Sequence, residues 1–569
     1  MMEFSYKLPA DLQNAVSNTV SEWESGNKVQ RLWAKDASLW TNDDEAKWLG
    51  WLDIVEREQK ALGSFAALAK DAADTGFEYV LLLGMGGSSL CPEVLSKTFG
   101  HQKGYPELRI VDSTDPAEIL AAEKAVKLKK TLFIVSSKSG STLEPNILKA
   151  YFYDRMRQEV QGAVGQHFLA VTDPGSHMEE VAKADGFRKI FYGDPGIGGR
   201  YSALSDFGVV PAAVMGLDVP KLLGRAQEAV VACRNTAVEQ NHGVMLGLIL
   251  GTAARMGRDK ITFFTSDEIF DLGAWLEQLI AESTGKQGKG ITPVDREEIG
   301  SPEVYGNDRV FAYVKLAGAN DKKLEEKVAA LEKAGQPVVR FVMNDVYDIG
   351  AQFFTWEIAT ATAGSVIGIN AFNQPDVEAS KIETRKLTDE YEQTGKLEEQ
   401  QPFFEDGEIK LYATKEYAAV LHGAGGDGNL IAHLKAHLDQ LKAGDYFAQL
   451  AYIQMNEPHE EAMEETRLRV RDAKTVATCV GFGPRFLHST GQDYKGGPNT
   501  GVFLQFTADH PQDLQVPGHR YTFGVVIAAQ AAGDLAVLQQ RKRRVLRVHL
   551  GKDVAAGLRK VHEAIVKGL

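Results

Sequence analysis

Apolar residues along this chain fall into distinct regimes. From about residue 9 to 73, Leu, Trp and Ala recur at helical spacing among Lys and Glu, the pattern of amphipathic helices. Trp33, Trp40, Trp48 and Trp51 in this stretch are expected as core or interface anchors. Residues 1–74 thus form a helical N-terminal segment. The pattern then changes: 79–83, 109–111, 131–135, 167–171 and 189–192 are short continuous apolar runs, each followed by a polar turn, with helical stretches such as 144–156 between several of them. Continuous apolar strands alternating with helices predict a mostly parallel sheet covered on both faces. A second block follows, with strands at 261–264, 310–316 and 338–343 and a further one at 364–370. Two α/β units in succession, 75–225 and 226–386, suggest a duplicated architecture without a sequence repeat.

From about 387 to 409 the chain is charged and Gln-rich, as in a linker. Beyond it, 416–452 has a mostly helical pattern with a glycine-rich interruption at 423–428, and 475–480, 502–506 and 544–550 mark strands among further helices. The predicted fold class is α/β: two doubly wound parallel-sheet domains, the helical N-terminal segment, and an additional C-terminal α/β region over 387–569. Arg541-Lys542-Arg543-Arg544 is expected to be a solvated face.

Composition narrows the class. At 569 residues the chain holds more than one domain. A net charge of −14 argues against a general nucleic-acid or anionic-membrane role, although a small site for an anionic metabolite can still be locally positive. The longest apolar stretch, 244–254, falls short of the ~20 residues that span a bilayer. The first residues lack the basic start and apolar run of a signal peptide. Cys91, Cys233 and Cys479 are too few and too scattered for a disulfide framework or a zinc site. A cytoplasmic protein with reduced, buried thiols is expected. No His/Asp/Glu cluster has metal-ligand spacing, so neither metal nor cofactor is expected.

Two glycine- and serine-rich turns carry the first chemistry. Leu83-Gly84-Met85-Gly86-Gly87-Ser88-Ser89 leaves a strand and enters a helix. Glycines let the backbone approach an anion, and the helix N-terminus offers free N–H groups. The dinucleotide fingerprint G-x-G-x-x-G fails at Ser89, which argues against a nicotinamide dehydrogenase. Ser136-Ser137-Lys138-Ser139-Gly140-Ser141-Thr142 sets hydroxyls and an ammonium at a second helix start, a phosphate cradle. Two such turns on neighbouring strands can grip one phosphate from both sides.

These and three further motifs resemble the phosphoglucose isomerase family, in the family's order. Gly84–Ser88 is similar to the G-x-G-G-S turn of the sugar isomerase fold, and Ser137–Thr142 to the S-K-T-F-T-T phosphate loop. The resemblance assigns Gly87, Ser88, Ser137, Lys138, Ser139 and Thr142 to the substrate phosphate. Gly196-Ile197-Gly198-Gly199-Arg200-Tyr201-Ser202 resembles the first family signature. A fixed cation such as Arg200 beside a forming enediolate stabilises charge absent from the ground state. Trp275-Leu276-Glu277-Gln278-Leu279-Ile280-Ala281-Glu282-Ser283-Thr284-Gly285-Lys286 resembles Q-Q-x-x-M-E-S-N-G-K, with Gln278 and Glu282 on one helix face. Glu282 matches the family's general base, which moves a proton between C2 and C1 of the open-chain sugar. Phe372-Asn373-Gln374-Pro375-Asp376-Val377-Glu378-Ala379-Ser380-Lys381 resembles F-D-Q-x-G-V-E-x-x-K, with Asn373 for Asp and Asp376 for Gly; its Lys381 matches a lysine of the family's active site.

The largest departure is a histidine. The family opens the sugar ring with one placed between the glutamate and lysine motifs, and this chain has none between His242 and His422. His488, in a stretch dense in glycine and polar groups, is the candidate; His422, His510 and His519 are others, and Lys381 is an alternative acid. Arg485 and Lys495 nearby fit either substrate contacts or charge partners. The long segment after the lysine motif is similar to the isomerase half of bacterial transaldolase/phosphoglucose isomerase fusions, without room for a transaldolase domain. The resemblance implies reversible conversion of glucose 6-phosphate and fructose 6-phosphate. Dual use of mannose 6-phosphate and a non-catalytic sugar-phosphate regulator are the alternatives. It also implies a homodimer, since family sites borrow residues across an interface, with neither nucleic acid nor membrane as partner.

Overall fold

Three sheets of the molecule share one strand order. The computed structural model describes residues 2–398, 400–426 and 428–569. The first sheet runs Glu107–Val111, Tyr79–Leu83, Thr131–Ser136, Phe168–Thr172, Lys189–Tyr192, all parallel; by chain order that is 2-1-3-4-5. The second runs Thr292–Val294, Lys260–Thr265, Arg309–Leu316, Val338–Met343, parallel in the order 2-1-3-4. Glu3–Lys7 closes its edge, antiparallel to Val338–Met343, so the N-terminal segment is not wholly helical. The third runs Ala477–Phe482, Tyr446–Tyr452, Gly501–Thr507, Arg544–His549, again 2-1-3-4, with Ile409–Tyr412 and Phe404–Asp406 added antiparallel at one edge. The C-terminal region is therefore a third doubly wound unit. In such sheets the crevice between the first and third strands, where the chain reverses its direction of winding, is the natural place for a ligand.

Three sequence expectations change. Tyr446–Tyr452 continues no helix: it is a central strand, buried along its whole length, and so shows no alternation that would betray it. Residues 364–370, expected as a strand, complete the Ile349–Ile367 helix and its left-handed cap at Gly368 (φ 75°). That helix is buried on almost every face, which erases its periodicity. The charged run from 387 is not a linker at its start, because the helix Pro375–Thr394 runs through it and contains the expected boundary at 386. Asp427, in the glycine-rich interruption between helices Lys415–Gly423 and Leu430–Leu438, lies outside the described residues.

The N-terminal tryptophans are anchors. Trp51 is fully buried and stacks on Tyr201 at 5.1 Å, next to Arg200. Trp40 meets the ring of Phe372 edge-on at 5.1 Å and donates its indole N–H to the Ala361 carbonyl at 2.8 Å. Both motif turns are thus braced from behind. The third unit packs on the first two: Phe523 and Val526 join the core around Phe133 and Tyr151, and Val294 joins the core around Tyr446 and Phe503.

Candidate active site

The two glycine turns interlock. A Cβ on Gly87 would lie 1.9 Å from the carbonyl oxygen of Gly199, so no other residue fits there. Gly86 has φ 54°, and a Cβ on it would meet Gln278 Nε2 at 2.8 Å and the His488 carbonyl oxygen at 2.9 Å. Close approach is what these glycines permit. On the neighbouring strand the loop is already formed: Asn146 donates to the carbonyls of Gly140 and Thr142 at 2.9 and 2.7 Å. The hydroxyls of Ser136 and Ser137 are buried without a hydrogen-bond partner. Buried polar atoms are ordinarily satisfied, and Ser137 is where a phosphate oxygen would supply the acceptor. Ser88 is buried beside it in the sequence of turns, whereas Ser139 is exposed and bonds Ser141 at 3.1 Å. Thr142 begins the Leu143–Glu159 helix without capping it through its side chain. Lys138 is ion-paired with Asp173, whose carboxyl burial pushes above its ordinary value while Lys138 pulls it down. The ammonium is therefore shared with an internal carboxylate.

Glu282 sits near the end of the Leu272–Thr284 helix, 8% exposed. One turn earlier, Gln278 Nε2 donates to Glu282 Oε2 at 3.1 Å and to the His488 carbonyl at 2.9 Å, while Gln278 Oε1 is buried without a partner. Arg200 lies on the other side, its Nη1 3.4 Å from Glu282 Oε1. The guanidinium is fully buried and fixed: Nε donates to Ser283 Oγ at 2.8 Å, Nη2 to the carbonyls of Ala371 and Asn373 at 2.9 and 3.0 Å, and Nη1 to Gln374 Oε1 at 3.1 Å. It is a positioned charge with little freedom left to follow a ligand.

His488 comes from the third unit. Its Nε2 lies 3.1 Å from Glu144 Oε1, on the first turn of the Leu143–Glu159 helix. Burial alone would raise the Glu144 carboxyl; the charge and hydrogen bond of His488, together with Lys381 nearby, bring it below its ordinary value. Lys381, on the Pro375–Thr394 helix, is about a third exposed and lies 3.5 Å from Glu378. Glu282, Arg200, Gln278 and His488 thus converge, with Lys381 on the Glu144 side. Sequence reasoning missed Glu144: an acidic residue in the first turn of a helix is what the helix dipole favours anyway, so nothing marked it out.

The model of the family described as "Phosphoglucose isomerase" matches residues 66–306. Over that stretch the chain is similar to the phosphoglucose isomerase family. Among its relatives is the glucose-6-phosphate isomerase of Methanocaldococcus jannaschii, 26% identical over 411 residues, spanning 66% of this chain and 98% of that one. The glucose-6-phosphate isomerase of Synechococcus elongatus is 28% identical over 369 residues, 56% of this chain and 68% of that one. A hypothetical protein of Thermus thermophilus aligns in structure with a TM-score of 0.58 and 25% identity, covering 67% of this chain and 99% of that one. A glucose-6-phosphate isomerase of Chlamydia trachomatis shares the fold, with a TM-score of 0.51 at 21% identity over 57% of this chain and 72% of that one.

Set against the phosphoglucose isomerase signatures, one departure of this chain lies where the third unit docks. Asp376, which stands where the signature has Gly, accepts Gln492 Nε2 at 2.9 Å and pairs with Arg541 at 2.6 Å. Gln492 Oε1 in turn accepts the backbone N–H groups of Asp376 and Val377 at 3.0 and 3.1 Å, satisfying the start of the Lys381 helix. The basic run is only partly a solvated face: Arg543 is buried and donates to the carbonyls of Lys495 and Gly497. Arg485 and Lys495 are charge partners. Arg485 pairs with Glu93 and faces Asp112 at 3.7 Å, burial pulling its guanidinium down to about 10. Lys495 lies 2.7 Å from Asp534, both fully buried.

Proposed function

We propose that this chain interconverts glucose 6-phosphate and fructose 6-phosphate at the site walled by all three units. The observation that carries this reading is the convergence of Arg200 and Gln278 on the oxygens of Glu282, under the glycine turn and beside the His488–Glu144 pair. The loop around Ser137, with Ser88 and Thr142, holds the phosphate. His488 exchanges a proton with the ring oxygen as the pyranose opens. A carboxylate only accepts hydrogen bonds, so Nε2 of His488 carries the proton shared with Glu144 and Nδ1 is left to work. Glu282 takes the proton from C2; the C2–H electrons form the enediol double bond as the carbonyl oxygen at C1 is protonated. Return of the proton to C1, as the C2 hydroxyl gives up its proton to make good the one gained by O1 and C2=O forms, gives the ketose. Arg200 lies beside the charge that develops between these steps. Lys381 adds positive charge at the Glu144 edge. Three free, buried cysteines support a reducing, cytoplasmic setting, and the proposed reaction itself would place the chain in glycolysis and gluconeogenesis.

Initial rates with fructose 6-phosphate, following glucose 6-phosphate by a coupled assay, test the reading. Glu282→Gln keeps the shape and should lower kcat by at least about 10²-fold, the low end for loss of a general base. Sugar-phosphate binding without turnover in the wild type would instead make the chain a sensor.

A further inference from the structure

The Phe523–Gln540 helix is long and apolar enough to cross a membrane, yet 67% of it is buried inside the molecule. In such company a polar side chain destabilises the fold unless it is bonded. Gln530 is 2% exposed there. Its Nε2 donates to Glu144 Oε1 at 2.6 Å, and its Oε1 accepts the hydroxyl of Thr114 at 2.6 Å. Thr114 is fully buried and follows the Glu107–Val111 strand.

We propose that Gln530, oriented by Thr114, is a positioning residue for the Glu144–His488 pair. This rests on the isomerase reading above and adds to it a residue from the third unit. The chain of bonds has one allowed polarity. An ionised Glu144 accepts only, so Gln530 must turn its amide nitrogen toward it. The amide oxygen then faces Thr114, whose hydroxyl must donate. Glu144 Oε1 is thereby held between Gln530 Nε2 and His488 Nε2, and the carboxylate cannot rotate away from the histidine. Thr114 and Glu144 belong to the first unit, Gln530 and His488 to the third, so the relay also sets how the two units meet at the site. Other charged groups bear on the same pair. Lys381 acts on Glu144, Asp112 interacts with His488, Arg485 pairs with Asp112 and Glu93, and Glu282 is joined to the His488 backbone through Gln278.

Gln530→Leu and Thr114→Val test this in the full chain. Gln530→Leu keeps the bulk and removes the donor. It should lower kcat about tenfold, the scale of one lost hydrogen bond to a charged group, while KM for fructose 6-phosphate stays within about twofold because the phosphate loop is untouched. With that donor gone the carboxylate holds the imidazolium more tightly. The limb of the kcat–pH profile that reports the pair should therefore move to higher pH. Thr114→Val should act in the same direction and more weakly, and Thr114→Ser should restore most of what Thr114→Val loses. A folded Gln530→Leu or Thr114→Val protein with wild-type kcat and pH profile would overturn the proposal. So would a loss of kcat with no change of profile, which marks a merely structural contact. Nuclear magnetic resonance titration of the His488 ring in wild type and Gln530→Leu needs no turnover. Should the wild type prove inactive, the isomerase reading fails while this titration still decides the relay: a displaced titration supports it and an unmoved one rejects it.

Discussion

Arg200 and Glu282, which the structure brings within 3.4 Å of each other, stand out in short motifs because each lies in a turn or helix whose neighbours also have fixed tasks. Arg200 needs the glycines that let its turn meet Gly87, and Glu282 needs Gln278 one turn before it. Glu144 and Gln530 were not readable, since a single acid at a helix start and a single amide in an apolar helix have many ordinary explanations. His488 was put forward from the gap in the expected order and from the glycine-rich, polar stretch around it. Its role predicts a specific pattern. His488→Asn should lower turnover of glucose 6-phosphate by about 10²-fold, and most of that loss should vanish with an analogue unable to close its ring. Equal losses on both substrates, measured in the same coupled assay, would give His488 another task.

At the scale of elements, the strands of the first two units were visible as continuous apolar runs, whereas Tyr446–Tyr452 and Ile349–Ile367 were obscured by burial on every face. The Ile54–Lys60 helix shows how the N-terminal segment braces the Arg200 turn. Arg57 pairs with Asp194 at 2.8 Å, and its neighbour Glu58 is 2% exposed. Burial, followed by the nearby charge of Asp206, pushes the Glu58 carboxyl up to about 8. In the unfolded chain the same group ionises near its ordinary value of 4.5. Between those values folding takes up a proton, so this group's contribution to stability falls as pH rises. Glu58→Gln mimics the neutral form. Its stability relative to wild type, from thermal unfolding at a series of pH values, should improve steadily from about pH 5 to pH 8. A difference that stays flat or reverses would mean that Glu58 is ionised and stabilising in the fold.

At the scale of the whole molecule, the third unit changes what one chain can do. Its strand order repeats that of the first two, yet its sequence carries no signature for it, so only the structure shows the repetition. It supplies His488 and Gln530 to the site and clamps the start of the Lys381 helix through Gln492 and Arg541. The resemblance implied a homodimer whose sites borrow residues across an interface, whereas on the reading proposed above the ring-opening histidine, His488, comes from the same chain as Glu282. Specific activity should therefore stay constant on dilution from micromolar to nanomolar protein, whatever the assembly state found by sedimentation. A fall in activity that tracks dissociation of a dimer would show that a partner completes the site.

The central claim is that Glu282 carries a proton between C2 and C1 of a bound sugar phosphate. Proton spectra of glucose 6-phosphate incubated with the protein in deuterium oxide test it most directly. The account predicts that the C2 hydrogen signal is lost as isomerisation proceeds, and that Glu282→Gln slows this by at least about 10²-fold. Isomerisation over many turnovers with no solvent deuterium entering the sugar, as a hydride shift would give, or exchange that continues at the wild-type rate in Glu282→Gln, would contradict it.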